Sequence, residues 1–288
     1  MDAWRLIRSA PAGGFTNMAV DEAILLAHAA GRVPPTLRLY AWRPPAISTG
    51  YFQQVARDIA LDACARAGIQ VVRRLTGGRA VLHDDEVTYS VVVGSVAGMG
   101  VWEYGGMGVW EYGSMGGGAV SHTPTLPYLH TPTLASYRLL CGGLIAGLAR
   151  LGLEARLAPG QRAHRGPSGA NCFAAAAQCD LVVGDRKICG SAQLRRHGVI
   201  LQHGALLLST PDPTPYWREA GAPPCATDLT EALGYRPSWD TVADTLAAGF
   251  AEALGVPILP GELTEEERSL AEELRREKYA TEGWNLRR

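Results

Sequence analysis

Lysine is almost missing from this chain: Lys187 and Lys278 stand against 25 arginines. A position that needs only positive charge accepts arginine here, so each lysine raises the question of what arginine cannot do in its place. Metal-finger spacing is missing too. The six cysteines, Cys64, Cys141, Cys172, Cys179, Cys189 and Cys225, form no C-x-x-C pair, and no histidine pair stands at finger spacing, which argues against a structural zinc site or any other metal. A chain of 288 residues buries a substantial core without disulfides, so most of these cysteines read as small buried hydrophobes. No apolar run approaches the ~18 residues of a membrane helix. Met1 to Ala10 has no apolar stretch of signal-peptide length, and the expected compartment is the cytoplasm. Charge shows no excess of either sign, with 27 basic and 28 acidic residues. Neither nucleic acid nor a membrane surface is therefore an expected partner.

What is present is globular. Hydrophobic residues make up 47% and charged residues 19%, which excludes wholesale disorder. Glycine, at 34 residues, exceeds the usual ~7%, so much backbone must turn tightly or approach something closely. The apolar spacing predicts helices over Asn17–Ala30, Asp58–Gly68, Pro132–Leu151, Trp239–Leu254 and Thr264–Tyr279, the last opened by a Thr264/Glu267 capping box. Strands are expected over Thr36–Trp42, with Leu37, Leu39 and Ala41 inward and Arg38, Tyr40 and Trp42 outward, and over Ile69–Arg73, Val87–Val93 and Val199–Leu208. Leu181–Val183 and Arg186–Cys189 read as a hairpin about Gly184-Asp185, and Pro159–Asn171 as a loop. Between Gly98 and Gly113 the unit GMGVWEYG occurs twice in tandem, which predicts a surface-loop insertion near residues 98–118. Irregularly interspersed strands and helices favour an α+β fold with a mixed or antiparallel sheet, as one domain over residues 1–288.

Three segments carry candidate chemistry. The first is Arg73-Arg74-Leu75-Thr76-Gly77-Gly78-Arg79, running on to His83-Asp84. A strand ending in Thr-Gly-Gly lets backbone N–H groups approach a ligand, and the arginines favour polar or anionic groups. The second is Lys187-Ile188-Cys189-Gly190-Ser191-Ala192-Gln193. A lysine on a buried strand needs a partner or a task, and Gly190, Ser191 and Ala192 let a substrate chain lie against the backbone. The third is Cys172, which follows a polar loop. A thiol becomes a nucleophile beside a cation that stabilises the thiolate, and Lys187 is such a cation. Cys189, two residues from Lys187 and expected on the same strand face, and nearby Cys179 are equally open on these grounds.

The ordered run Met18–Ala23, Pro35–Tyr40 with Trp42, Ser48–Gln53, Arg73–Asp84, Lys187–Gln193, Leu201–Gly204, Lys278-Tyr279 and Trp284-Asn285 resembles the superfamily of lipoate-protein ligases and octanoyltransferases. Biotin protein ligases share its catalytic fold. The tandem GMGVWEYG has no counterpart in that pattern. Within the superfamily, Arg79 in place of a third glycine, and Cys172-Phe173 ahead of Lys187, resemble the LipM-type octanoyltransferases. The resemblance implies transfer of an octanoyl group from acyl carrier protein, through a cysteine thioester, to a lysine of a lipoyl domain such as the glycine-cleavage H protein, with no cofactor. It selects Cys172 as nucleophile. Lys187 would stabilise the thiolate and, when neutral, take a proton from the incoming amine. Arg73, Arg74, Thr76, Gly77, Gly78, His83, Gly190, Ser191 and Ala192 would bind substrate, with backbone N–H groups at Gly77-Gly78 or Gly190-Ser191 holding the oxyanion. Three alternatives compete: an ATP-dependent lipoate ligase, an amidotransferase acting on octanoyl-H protein, and a module that only binds lipoyl groups.

Overall fold

The computed structural model describes residues 3–94, 133–159, 171–174, 176, 180–218 and 226–287. The GMGVWEYG repeat, most of the expected Pro159–Asn171 loop, Cys179 and Cys225 lie outside them. Eleven strands are described: β1 (Trp4–Arg8), β2 (Thr36–Tyr40), β3 (Ala46–Thr49), β4 (Gln70–Arg73), β5 (Val81–His83), β6 (Glu86–Gly94), β7 (Ala155–Leu157), β8 (Leu181–Val183), β9 (Arg186–Arg196), β10 (Val199–Leu207) and β11 (Ile258–Pro260). Eight form a large sheet in the order β11-β1-β2-β6-β10-β9-β8-β7, and β4-β3-β5 form a small one. Strands β11, β1 and β2 run parallel and the rest of the large sheet is antiparallel. The expected α+β fold with a mixed sheet is therefore observed. Strands β1, β3, β5, β7 and β11 are additions to the reading from sequence; all have five residues or fewer, and β3 and β11 are flanked by proline and glycine.

The helices are α1 (Gly14–Ala29), α2 (Val55–Asp58), α3 (Leu61–Arg66), α4 (Thr133–Arg150), α5 (Leu229–Leu233), α6 (Trp239–Leu254), α7 (Glu265–Leu274) and α8 (Glu282–Asn285). The capping box opens α7 as expected. One apolar cluster joins the large sheet to α4 and α6 through Leu37, Leu39, Val91, Val93, Leu144 and Leu246. Another joins it to α1 and α7 through Val92, Leu201, Ile24 and Ala271. Burial on both faces explains why β2 does not alternate in exposure: Arg38 and Tyr40, expected outward, are buried. Burial of a guanidinium requires partners, and Arg38 has them in α1, where Nη1 donates to Asp21 Oδ1 at 2.7 Å and Nη2 to Asn17 Oδ1 at 2.8 Å. The glycines of α4 let it close on α6: a Cβ on Gly249 would stand 2.2 Å from the Gly147 nitrogen and 2.5 Å from the Gly143 carbonyl.

Candidate active site

Between the large and small sheets lies a cavity of about 450 Å³, counted to its open mouth. One wall is Gly190–Ala192 of β9 and His203–Ala205 of β10. The other is Ser48 of β3, Arg74, Gly78, and Val81 and His83 of β5; Met18, Tyr40, Trp42 and Thr88 complete it, and Cys172 stands at its edge.

Cys172 opens a single 3-10 turn, Cys172–Ala174. The turn is pinned to the small sheet because the Cys172 N–H donates to the Ala80 carbonyl at 2.8 Å, and Asn171 Oδ1 accepts from the Phe173 N–H at 3.0 Å. Lys187 reaches the same point from β9 and is 1% exposed. Its Nζ donates to the Cys172 carbonyl at 3.0 Å and approaches Cys172 Sγ at 3.4 Å. A third contact joins it to Asp180 Oδ2 at 2.8 Å. Burial pushes the Lys187 ammonium down, yet the neighbouring Cys172 sulfur and Asp180 carboxylate more than offset this, and its pKa is raised. Gly190 leaves the room, since a Cβ there would lie 3.0 Å from Lys187 Nζ and 3.4 Å from Cys172 Sγ.

A bulge decides which cysteine shares the cavity. Leu181 pairs with Cys189 and Val182 with Lys187, so Ile188 is an extra residue in β9. An extra residue breaks the two-residue side-chain period. Ile188 and Cys189 both enter the apolar core, whereas Gly190 borders the cavity. Cys189 therefore does not share the face of Lys187, and burial, then its neighbours Cys141 and Asp180, push its thiol well up. Cys64 and Cys141 are buried as well, leaving Cys172 the half-buried one among the described free cysteines.

The arginines divide. Arg74 borders the cavity; its Nη1 donates to Ser48 O and Oγ, and its Nη2 to the carbonyls of Gly77 and Arg79 at 2.8 and 2.7 Å. Burial pulls its pKa down to about 10, opposed by the Cys172 sulfur. Arg73 departs from the expected substrate contact. It is fully buried and donates to the carbonyls of Gly50, Tyr51 and Gln53, and to those of Trp284, Asn285 and Arg287, which ties α8 to β4. Thr76 and Gly77 do not border the cavity. Thr76 Oγ1 instead meets His203 Nε2 at 2.7 Å, with His203 Nδ1 toward Asp21 Oδ2 at 3.3 Å. Burial holds His203 below the usual imidazole range, with Asp21 opposing in part. Burial would raise Asp21, but Arg38 and His203 outweigh it and lower its pKa. A neutral His203 in this position gives its Nδ1 proton to Asp21 and accepts from the Thr76 hydroxyl. His83 stacks on Trp42 with ring centroids 3.9 Å apart, and its Nδ1 and Nε2 meet Glu86 Oε1 at 2.6 Å and Ser48 Oγ at 2.8 Å.

Gly78 adopts φ +94°, which favours glycine. Gly50 is needed beside it, since a Cβ there would meet the Gly78 carbonyl oxygen at 1.9 Å, backbone against backbone. Gly50→Ala is expected to push the 76–79 loop off the end of β3, raise KM more than it lowers kcat, and cost about 1–3 kcal/mol of stability. Steady-state kinetics with thermal denaturation checks it; an unchanged KM would place the loop outside substrate binding. Asp180 was not singled out from the sequence. The signal available was an acid directly before the apolar strand that pairs with the lysine's strand.

Among the described residues no group of three or more His, Cys, Asp or Glu side chains could hold a metal ion, and no helix is long and apolar enough to cross a membrane. The chain matches the family described as the lipoyl protein ligase A/B catalytic domain over residues 14–107 and 114–251. The octanoyltransferase LipM of Symbiobacterium thermophilum is 41% identical over 99% of this chain and 98% of its own length. A structure of lipoate-protein ligase A bound with ATP superposes with TM-score 0.74 at 27% identity, covering 99% of both chains. The bi-partite lipoate protein ligase of Thermoplasma acidophilum, described with its E2 lipoyl domain, superposes with TM-score 0.72 at 26% identity, covering 100% of this chain and 98% of the other.

Proposed function

The chain belongs to the lipoyl protein ligase A/B catalytic family, and we infer that it is an octanoyltransferase that carries its acyl group on Cys172. The observation that carries this reading is the Lys187 ammonium 3.4 Å from Cys172 Sγ, at the edge of a cavity between two sheets. The donor is octanoyl-acyl carrier protein and the acceptor a lysine of a lipoyl-domain protein, such as the glycine-cleavage H protein. The Cys172 thiolate, stabilised by Lys187, attacks the donor thioester; the octanoyl group moves to Sγ and the carrier leaves as its thiol. The acyl tail lies between Gly190–Ala192 and the Gly78–Val81 segment, where small residues admit it. The acceptor amine then attacks the new thioester to form the amide. Two half-reactions on one sulfur let the same cavity serve two bulky proteins in turn.

A ligase needs ATP because its acid is not yet activated, whereas a carrier thioester already is. The purified chain, incubated with octanoyl-carrier protein and without ATP or magnesium, is expected to gain the mass of one octanoyl group, removable by hydroxylamine, and then to pass it to the H protein. Modification of the H protein by free octanoate plus ATP, with no adduct from the carrier thioester, would establish the ligase reading instead.

A further inference from the structure

An ammonium has three N–H donors and no acceptor. Lys187 Nζ meets three acceptor atoms, on Asp180, the Cys172 carbonyl and Cys172 Sγ. The set suits the charged lysine in full, while a neutral amine would turn a lone pair toward one of them. Here the three acceptors converge on one nitrogen, which suits a compact ammonium; a guanidinium spreads its donors over three nitrogens, as Arg73 does among its carbonyls, and this answers why lysine stands here in an arginine-rich chain. A thioester at Cys172 carries no charge, so the Asp180 carboxylate, itself 4% exposed and 2.8 Å from Nζ, is the anion left to face Lys187 in the acyl-enzyme.

Resting on the octanoyltransferase reading, we propose that Asp180 is a positioning residue that keeps Lys187 an ammonium while Cys172 carries the acyl group. Lys187 then serves both half-reactions as a fixed cation and does not take the proton of the incoming amine, which revises the second role expected from sequence. In the first half-reaction the bond from Sγ to the octanoyl carbonyl carbon forms and the carrier's C–S bond breaks, its electron pair leaving on the carrier sulfur. In the second, the neutral acceptor amine forms the C–N bond and the C–Sγ bond breaks. Its electron pair returns to Sγ beside Lys187. The proton shed by the nitrogen passes to solvent water, which has already protonated the carrier thiolate, so protons balance over the cycle. Among the described residues, the titratable groups that bear on Lys187 are Cys172 from the 3-10 turn, Asp180 ahead of β8 and Cys189 along β9, the last kept neutral by burial. Arg74 faces the same sulfur from the small-sheet side.

The near absence of lysine makes the test direct. Full-length protein labelled with ¹³Cε-lysine has two lysine positions to observe, and Lys278→Arg assigns them; Lys278 pairs with Glu22 away from the cavity. In the wild-type octanoyl-enzyme, prepared without acceptor, the Lys187 signal is expected to be at its ammonium position near pH 8. In the Asp180→Asn octanoyl-enzyme, burial is left with less opposition and the signal should move to the neutral position at lower pH. Single-turnover discharge to the lipoyl domain should then fall behind wild type increasingly as pH rises, approaching about tenfold per pH unit, with Asp180→Glu partly restoring it. A deficit equal at every pH would reduce Asp180 to a structural role and overturn the proposal. So would faster discharge by Asp180→Asn, the result a proton-accepting Lys187 requires. If Asp180→Asn does not fold, a neutral Lys187 signal in the wild-type octanoyl-enzyme near pH 8 overturns it as well, and an ammonium signal there supports it. Failure of the wild type to form any octanoyl-enzyme would instead remove the transferase reading.

Discussion

Cys172→Ser is expected to eliminate the hydroxylamine-sensitive octanoyl adduct and to lower transfer to the lipoyl domain by at least ~10³-fold, as loss of a covalent nucleophile does. The hydroxyl occupies nearly the same space at the start of the 3-10 turn, so the hydrogen bond from the Cys172 N–H to Ala80 should persist. What is lost is ionisation: an adjacent ammonium can hold a thiolate, but a serine hydroxyl lies too far from ionising near neutral pH. Circular dichroism should match wild type. Cys189→Ala and Cys179→Ala should retain measurable activity, Cys189 because its thiol lies in the core cluster with Ile188 and Leu181. Intact mass and peptide mapping check this series. An octanoyl group mapped to Cys189 would overturn both the nucleophile assignment and the meaning given to the β9 bulge.

The second large effect is expected at Lys187. Lys187→Met keeps an unbranched chain of similar length and removes the charge. It takes the cation from the thiol and from Asp180 together. Acyl-enzyme formation should fall by ~10²–10³-fold, the scale for losing one preorganised electrostatic contact, and alkylation of Cys172 by iodoacetamide at pH 7 should slow in parallel. Stability should drop by about 3–5 kcal/mol, since removing one partner of a buried pair leaves the other charge poorly compensated. Adding Asp180→Asn to Lys187→Met separates the two effects: melting temperature should recover substantially while acylation stays lost. Near-normal acylation by Lys187→Met would leave the lysine as a structural cation only.

How far these residues were legible before folding differs case by case. The candidate segments were visible as text because they combine types that rarely coincide by chance: glycines after paired arginines, a lysine in an arginine-rich chain, small residues directly after that lysine. Arg73 and Arg74, adjacent and chemically identical, were indistinguishable. Successive residues at the end of a strand point to opposite sides, so Arg74 faces the cavity while Arg73 clasps carbonyls near the C-terminal end. Asp180 was overlooked because its value depends on the β8–β9 hairpin bringing it to Lys187, a contact between residues that no local pattern announces.

The composition, the spacing of apolar residues and the turn and cap signals by themselves determined an α+β chain, most of its longer helices and strands, and the chemical types its site would use. These are local properties, set by propensity and period. Tertiary structure alone decided that β2 is buried on both faces and that Asp180 completes the site around Lys187. It also decided that Cys172 borders the cavity and Cys189 does not. Two residues along a regular strand share a face, so sequence places Cys189 beside Lys187; the extra residue Ile188 breaks that period and sends Cys189 into the core. A bulge is fixed by which partner strand lies alongside and in what register, and that is settled only when β8 and β9 pair.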